Sequence, residues 1–89
     1  MKIRIHYGDI KESFEARDAP DALRRFKSEA GKRAPFMLRP VIGAMGEMKF
    51  AAEVVSRANG QNKRQDPAPQ NAQEFLDWAV ARGYITIEA

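Results

Sequence analysis

Apolar and polar residues alternate from Met1 to Tyr7, with Met1, Ile3, Ile5 and Tyr7 on one face and Lys2, Arg4 and His6 on the other. A period of two predicts a strand with one face buried and one in water. Gly8-Asp9 follows, a pair that suits a two-residue hairpin turn because glycine supplies positive φ without strain. Ile10–Arg17 then reads as the return strand, with Ile10, Phe14 and Ala16 sharing a face. So short a loop fixes the register, placing Tyr7 opposite Ile10, Ile5 opposite Glu12, Ile3 opposite Phe14 and Lys2 opposite Glu15. Glu12 breaks the pattern, a carboxylate on the apolar face close to the turn.

Beyond Arg17 the period lengthens. Asp18-Ala19-Pro20-Asp21 carries the marks of a helix start: a capping carboxylate, a proline where a missing N–H costs nothing, and an acid near the positive end of the dipole. Ala19, Ala22, Leu23, Phe26 and Ala30 form one helical stripe, and Gly31 is the expected C-cap, with Lys32 and Arg33 beyond it. Residues 34–46 fit no single period, because prolines and glycines interrupt the apolar residues; Phe36–Leu38 reads equally as a short strand or one helical turn. From Glu47 a stripe of Met48, Ala51, Ala52 and Val55, widened by Phe50 and Val54, predicts a helix in preference to a strand, ended by Asn59-Gly60. Residues 61–70, with Pro67 and Pro69 and no apolar period, read as a mobile surface loop. Asn71 and Glu74 form a capping box before Ala72, Phe75, Leu76, Ala79 and Val80. Gly83 ends that helix, and Tyr84–Ala89 alternates as a final strand with Ile85 and Ile87 inward.

These elements predict one domain over residues 1–89, of the α+β class. The expected architecture is two-layered: an N-terminal β-hairpin and a C-terminal strand in a small sheet, packed by two or three helices.

The sequence has no cysteine, which removes disulfides, thiolate chemistry and cysteine-based metal sites. No apolar run approaches the roughly 20 residues of a membrane span, and the N-terminus alternates instead of forming a signal-peptide core. A cytoplasmic protein is expected, with no membrane partner. The net charge of +3 is uneven. From Arg24 to Arg39 the cations are Arg24, Arg25, Lys27, Lys32, Arg33 and Arg39 against Glu29 alone, a local balance of +5. Residues 71–89 carry Glu74, Asp77 and Glu88 against Arg82.

Candidate chemistry is sparse. His6 is the only histidine, and on the polar face of a strand it has neither triad nor metal partners. Asp18, Asp21 and Glu74 are explained by helix starts, so no pair of acids converges for acid/base work. Gly31-Lys32 lacks the spaced glycine and the Ser or Thr of a phosphate loop. Val41-Ile42-Gly43-Ala44-Met45-Gly46 resembles the Val-Ile-Gly-x-x-Gly loop of K-homology nucleic-acid-binding domains, which implies backbone amides clamping a single strand. It departs in lacking a polar residue at 44 and 45 and in carrying Lys49 where an apolar residue belongs; the preferred expectation is a loop whose glycines permit close helix packing. No enzyme, cofactor or metal is expected. The leading expectation is a non-enzymatic binding module for nucleic acid or a nucleoprotein, contacting it through Arg24, Arg25, Lys27, Lys32, Arg33 and Arg39. Trp78, Tyr84 and Phe36 are the aromatics left over for base stacking. The alternative is a small protein-binding adaptor or inhibitor, like the accessory proteins of mobile elements, whose apolar 36–48 segment meets a partner or a second copy.

Overall fold

The computed structural model describes residues 1–6, 11–33 and 39–88, with the Arg39 side chain outside that description. The Gly8-Asp9 turn, the Tyr7–Ile10 pair and the Phe36–Leu38 segment lie outside the described residues. Three strands form one antiparallel sheet in the order β2-β1-β3, from β1 (Lys2–Ile5), β2 (Ser13–Glu15) and β3 (Ile85–Glu88). The hairpin register is the one its short turn predicts: Lys2 faces Glu15 and Ile3 faces Phe14, and the Ile5 amide donates to the Glu12 carbonyl at 2.8 Å. On the other side of β1, Ile3 faces Ile87 and Ile5 faces Ile85. Period-two alternation therefore puts Ile3, Ile5 and Ile85 on the buried face, while Arg4, Ser13, Thr86 and Glu88 stand in water. Arg4 reaches Glu88 across the outer face at 3.2 Å.

The first helix, α1 (Ala19–Arg33), starts where expected: Asp18 Oδ1 accepts the Asp21 amide at 2.9 Å and the Asp18 carbonyl accepts the Ala22 amide. Its end is not where expected. Gly31 is helical and α1 continues through Lys32 and Arg33. The glycine instead faces α2 (Arg39–Ala44), where a Cβ at Gly31 would stand 3.7 Å from Ile42 Cγ2, an ordinary contact. Cations in the last turn suit the helix dipole, so the chain has little reason to stop at the glycine.

α3 (Glu47–Asn62) confirms helix over strand, and it too outruns its expected stop, passing through Asn59 and Gly60. The termination signal is Lys63, at φ 53°, whose amide reaches back to the Asn59 carbonyl. Asn62 helps close the last turn by donating Nδ2 to the Ala58 carbonyl at 2.9 Å. The connection to α4 is irregular, and Asp66 anchors its centre. Asp66 exchanges backbone–side-chain hydrogen bonds with Asn59, and its carboxylate accepts from Trp78 Nε1 at 3.0 Å and from Arg82 Nε and Nη2 at 2.9 and 2.7 Å.

α4 (Ala72–Ala81) is capped as its sequence predicts: Asn71 Oδ1 accepts the Glu74 amide at 2.8 Å, while Glu74 Oε1 accepts the Gln70 amide. At the far end the Tyr84 amide bonds to the Ala79 carbonyl and the Gly83 amide to the Val80 carbonyl. This is a Schellman ending, with Gly83 in the left-handed conformation at φ 77°. It sends the chain straight from α4 into β3. Among the described residues there are thus four helices, which share one core with the buried face of the sheet; α2 is a short extra one that packs on α1. No described helix is long and apolar enough to cross a membrane. The core joins Ile3, Ile5 and Ile85 of the sheet to Leu23, Phe50, Val55, Phe75 and Leu76 of the helices.

Candidate nucleic-acid interface

The helical period places Asp21 on the outward side of α1, with Arg24, Arg25, Ser28 and Lys32, yet Asp21 is only 4% exposed. Its cover is made of arginines. Arg24 donates Nη2 to Oδ1, Arg25 donates Nε to Oδ2 at 3.2 Å, and Arg17 lays its Nε 3.9 Å from Oδ2. The Arg17 amide also donates to Oδ2 at 3.0 Å. The Arg17 amide and the Arg24 guanidinium, with help from Arg25, hold the Asp21 carboxyl well below the ordinary aspartate range against the opposing effect of burial. The three arginine side chains stay half or more exposed. Each of Arg24 and Arg25 spends one donor position on the carboxylate, and a guanidinium has five N–H donors in a fixed fork. The result is a pair of half-exposed cations, each held by a bond to the buried carboxylate and with further donors left over.

The other cations that the sequence groups with them divide differently. Arg33 donates Nη2 to Glu12 at 2.6 Å and Nη1 to Glu29 at 2.8 Å; Lys32 reaches Glu29 at 3.3 Å. Arg33 therefore explains the misplaced Glu12, since it meets that carboxylate at the rim of the apolar face and joins α1 to the hairpin. Glu29 is held below the ordinary glutamate range mainly by Arg33, and Arg33 is raised in turn by Glu29. Lys27 leans the other way, its Nζ 3.4 Å from the Gly43 carbonyl of α2. So the local +5 is not one surface. Arg24, Arg25 and Lys32 share the outward side of α1, and Lys27 and Arg33 flank it. The Arg39 side chain lies outside the described residues. Arg17 belongs to the cluster and was not among the expected residues; the signal was Asp21 itself, three and four residues before Arg24 and Arg25 and four after Arg17, the spacings that bring helical side chains together.

Of the aromatic candidates Phe36 lies outside the described residues, and the two described ones do not form an exposed stacking platform. Trp78 and Tyr84 are half-buried with ring centroids 5.3 Å apart, and Trp78 also stacks on Phe75 at 5.9 Å and donates to Asp66. The glycine motif at 43–46 is likewise corrected. Gly43 lies inside α2 and Gly46 caps α3 at φ −67°, so neither has the positive φ that demands glycine. A Cβ at either would meet nothing within 4 Å, so close packing does not require them. His6 Nε2 sits 3.0 Å from Thr86 Oγ1 on the outer face of the sheet. Among the described residues no group of His, Asp and Glu is arranged to hold a metal ion.

Three carboxyls here, Asp21, Glu29 and Asp66, titrate lower in the folded chain than free carboxyls do, Asp66 chiefly because of Arg82 and then Trp78. A depressed folded pKa stabilises the fold above the unfolded value, and that contribution disappears as pH falls toward the folded pKa. The melting temperature is therefore expected to hold from about pH 7 to about pH 5 and to fall progressively below about pH 4. Melting curves across that range check it; a flat profile down to about pH 3 would contradict these pairings. No protein-family model matches this sequence, and neither a curated protein nor a solved structure matches it.

Proposed function

We propose that this domain is a non-enzymatic binding module that takes the phosphate backbone of a nucleic acid against the outward side of α1, in the cytoplasm. The observation that carries the reading is the buried Asp21 beneath Arg24 and Arg25. A bound phosphate gains most from guanidinium groups whose orientation is already fixed, because less side-chain entropy is lost on binding. Arg17 and Lys32 extend the positive face at either end of the pair. Contacts of this kind position a backbone and do not choose a sequence, which agrees with the lack of an exposed aromatic platform among the described residues.

The adaptor reading has less support. Of the 36–48 segment that it uses, Phe36, Met37 and Leu38 lie outside the described residues; within 39–48 only Val41, 51% exposed, is a large apolar side chain well out in water, and Ile42, Met45 and Met48 are half-buried against the core. A single such residue is ordinary on a protein surface.

Binding is read on Arg24→Gln with Arg25→Gln, which also takes two partners from the buried Asp21 and so lowers the melting temperature as well, and is compared with Arg33→Gln. The first pair is expected to weaken binding to a short DNA or RNA at least about tenfold at low salt, since each phosphate contact contributes to affinity. Arg33→Gln, which releases Glu12 and Glu29, is expected to lower the melting temperature with a smaller effect on affinity. Fluorescence anisotropy and thermal melting on the same samples read both; equal affinity losses in the two would count against the assignment of roles.

A further inference from the structure

A cavity of about 240 Å³ opens between β1, α1, α3 and α4. Its walls are Ile5, Phe26, Phe50, Val54, Phe75 and Trp78, and its lining is almost wholly apolar. Phe26 meets the buried Phe75 edge to face at 5.6 Å, which packs the Phe26 ring against the core behind the cavity. Charged groups line it as well: Glu29, Arg33 and Arg57. Glu29 and Arg33 are already engaged with each other, with Glu12 and with Lys32. Arg57 is different, an exposed guanidinium with no ion pair or hydrogen bond among the described residues.

A cavity of this size exceeds the roughly 150 Å³ that accommodates a benzene ring and falls below the ~300 Å³ at which drug-sized sites begin. It suits one ring with a short substituent, or a short acyl chain. We infer that the cavity binds a small organic carboxylate, with its apolar body against the half-buried Phe26, Val54 and Trp78 and its anionic end on Arg57. The cavity favours an anion over a cation because Arg33 is already matched by Glu29 and Glu12, which leaves Arg57 as the unanswered charge at its lining. A neutral molecule of the same shape fills the same walls and leaves Arg57 unanswered.

Trp78 is the only tryptophan in the chain and lines the cavity, so its fluorescence reports occupancy directly. The intact protein is titrated with phenylacetate and hexanoate, and in parallel with 2-phenylethanol and 1-hexanol. At least one acid is expected to give a saturable change with an affinity at least about tenfold above that of its own alcohol, the preference a charge-assisted hydrogen bond supplies; which acid responds tells whether the site takes an aryl or an acyl body. Arg57→Gln is expected to remove that preference while leaving the melting temperature unchanged, since Arg57 has no partner to lose. Absence of a saturable response to either acid, equal binding of acid and alcohol, or a preference that survives Arg57→Gln would each overturn the inference.

Discussion

A chain truncated after Gly83 is expected to lose cooperative unfolding altogether. The truncation removes Ile85, 2% exposed and opposite Ile5, together with the half-buried Ile87 opposite Ile3. Full burial of an isoleucine contributes about 1.5–3 kcal/mol, and Ile87 adds part of that amount. The loss also exposes one whole side of β1, including the His6 amide that donates to the Tyr84 carbonyl at 2.7 Å. Tyr84 goes as well, and with it the ring packed on Trp78. A domain of this length has a total stability of about 4–13 kcal/mol, so the combined loss is comparable with the whole. Far-UV circular dichroism with thermal melting reads the result. A truncated chain that keeps the native transition would show that the sheet does not depend on its third strand.

Phe75→Ala is expected to produce the largest destabilisation of any single substitution. Phe75 is wholly buried, touches Phe26 edge to face and stacks on Trp78, and borders the cavity between α1, α3 and α4. Removing a buried phenyl ring costs about 3–5 kcal/mol, with the upper part of the range reached where the surroundings cannot collapse into the space. Here the new void merges with an existing one, and the Asp66 bonds tie Asn59 of α3 to Trp78 and Arg82 at its edge. The denaturant midpoint should fall steeply while the slope of the transition stays the same, and Trp78 emission should shift red as water reaches its ring. A loss below about 1 kcal/mol would mean that the site repacks.

The strands and helix starts were legible because their signals are local. Alternation along Lys2–Ile5 and Ile85–Glu88 set which residues face the core, and the pairing of Lys2 with Glu15 and Ile3 with Phe14 is the register a two-residue turn predicts. Asp18 and Asn71 marked two helix starts through side chains that can reach only one set of amides. Helix ends were read less well, and for a physical reason. Gly31 and Gly60 are tolerated inside helices when packing and neighbouring residues favour continuation, so a glycine signals an end only where the chain needs positive φ, as at Gly83. Lys63 adopts that conformation without being glycine, which composition does not announce. Tertiary pairs were beyond the local pattern altogether. Asp66 binding Trp78 and Arg82 joins positions 12 and 16 residues apart, and Arg33 meeting Glu12 spans 21. The basic region was legible as a count of charges. Its division into an outward pair on Asp21 and a flanking Arg33 was not, because a count carries no information about which carboxylate each guanidinium faces.

The claim that α1 binds a phosphate backbone is tested most directly by the salt dependence of affinity. Anisotropy titrations of a labelled single strand and a labelled duplex, each about 20 nucleotides long, would be run from about 50 to about 200 mM salt. If Arg24, Arg25 and their neighbours neutralise phosphates, log K falls linearly with log salt, and replacing Arg24 and Arg25 by glutamine flattens the slope by about two, roughly one per lost contact. Undetectable binding at about 50 mM salt, where electrostatic association is strongest, or a slope that the double substitution leaves unchanged, would contradict it.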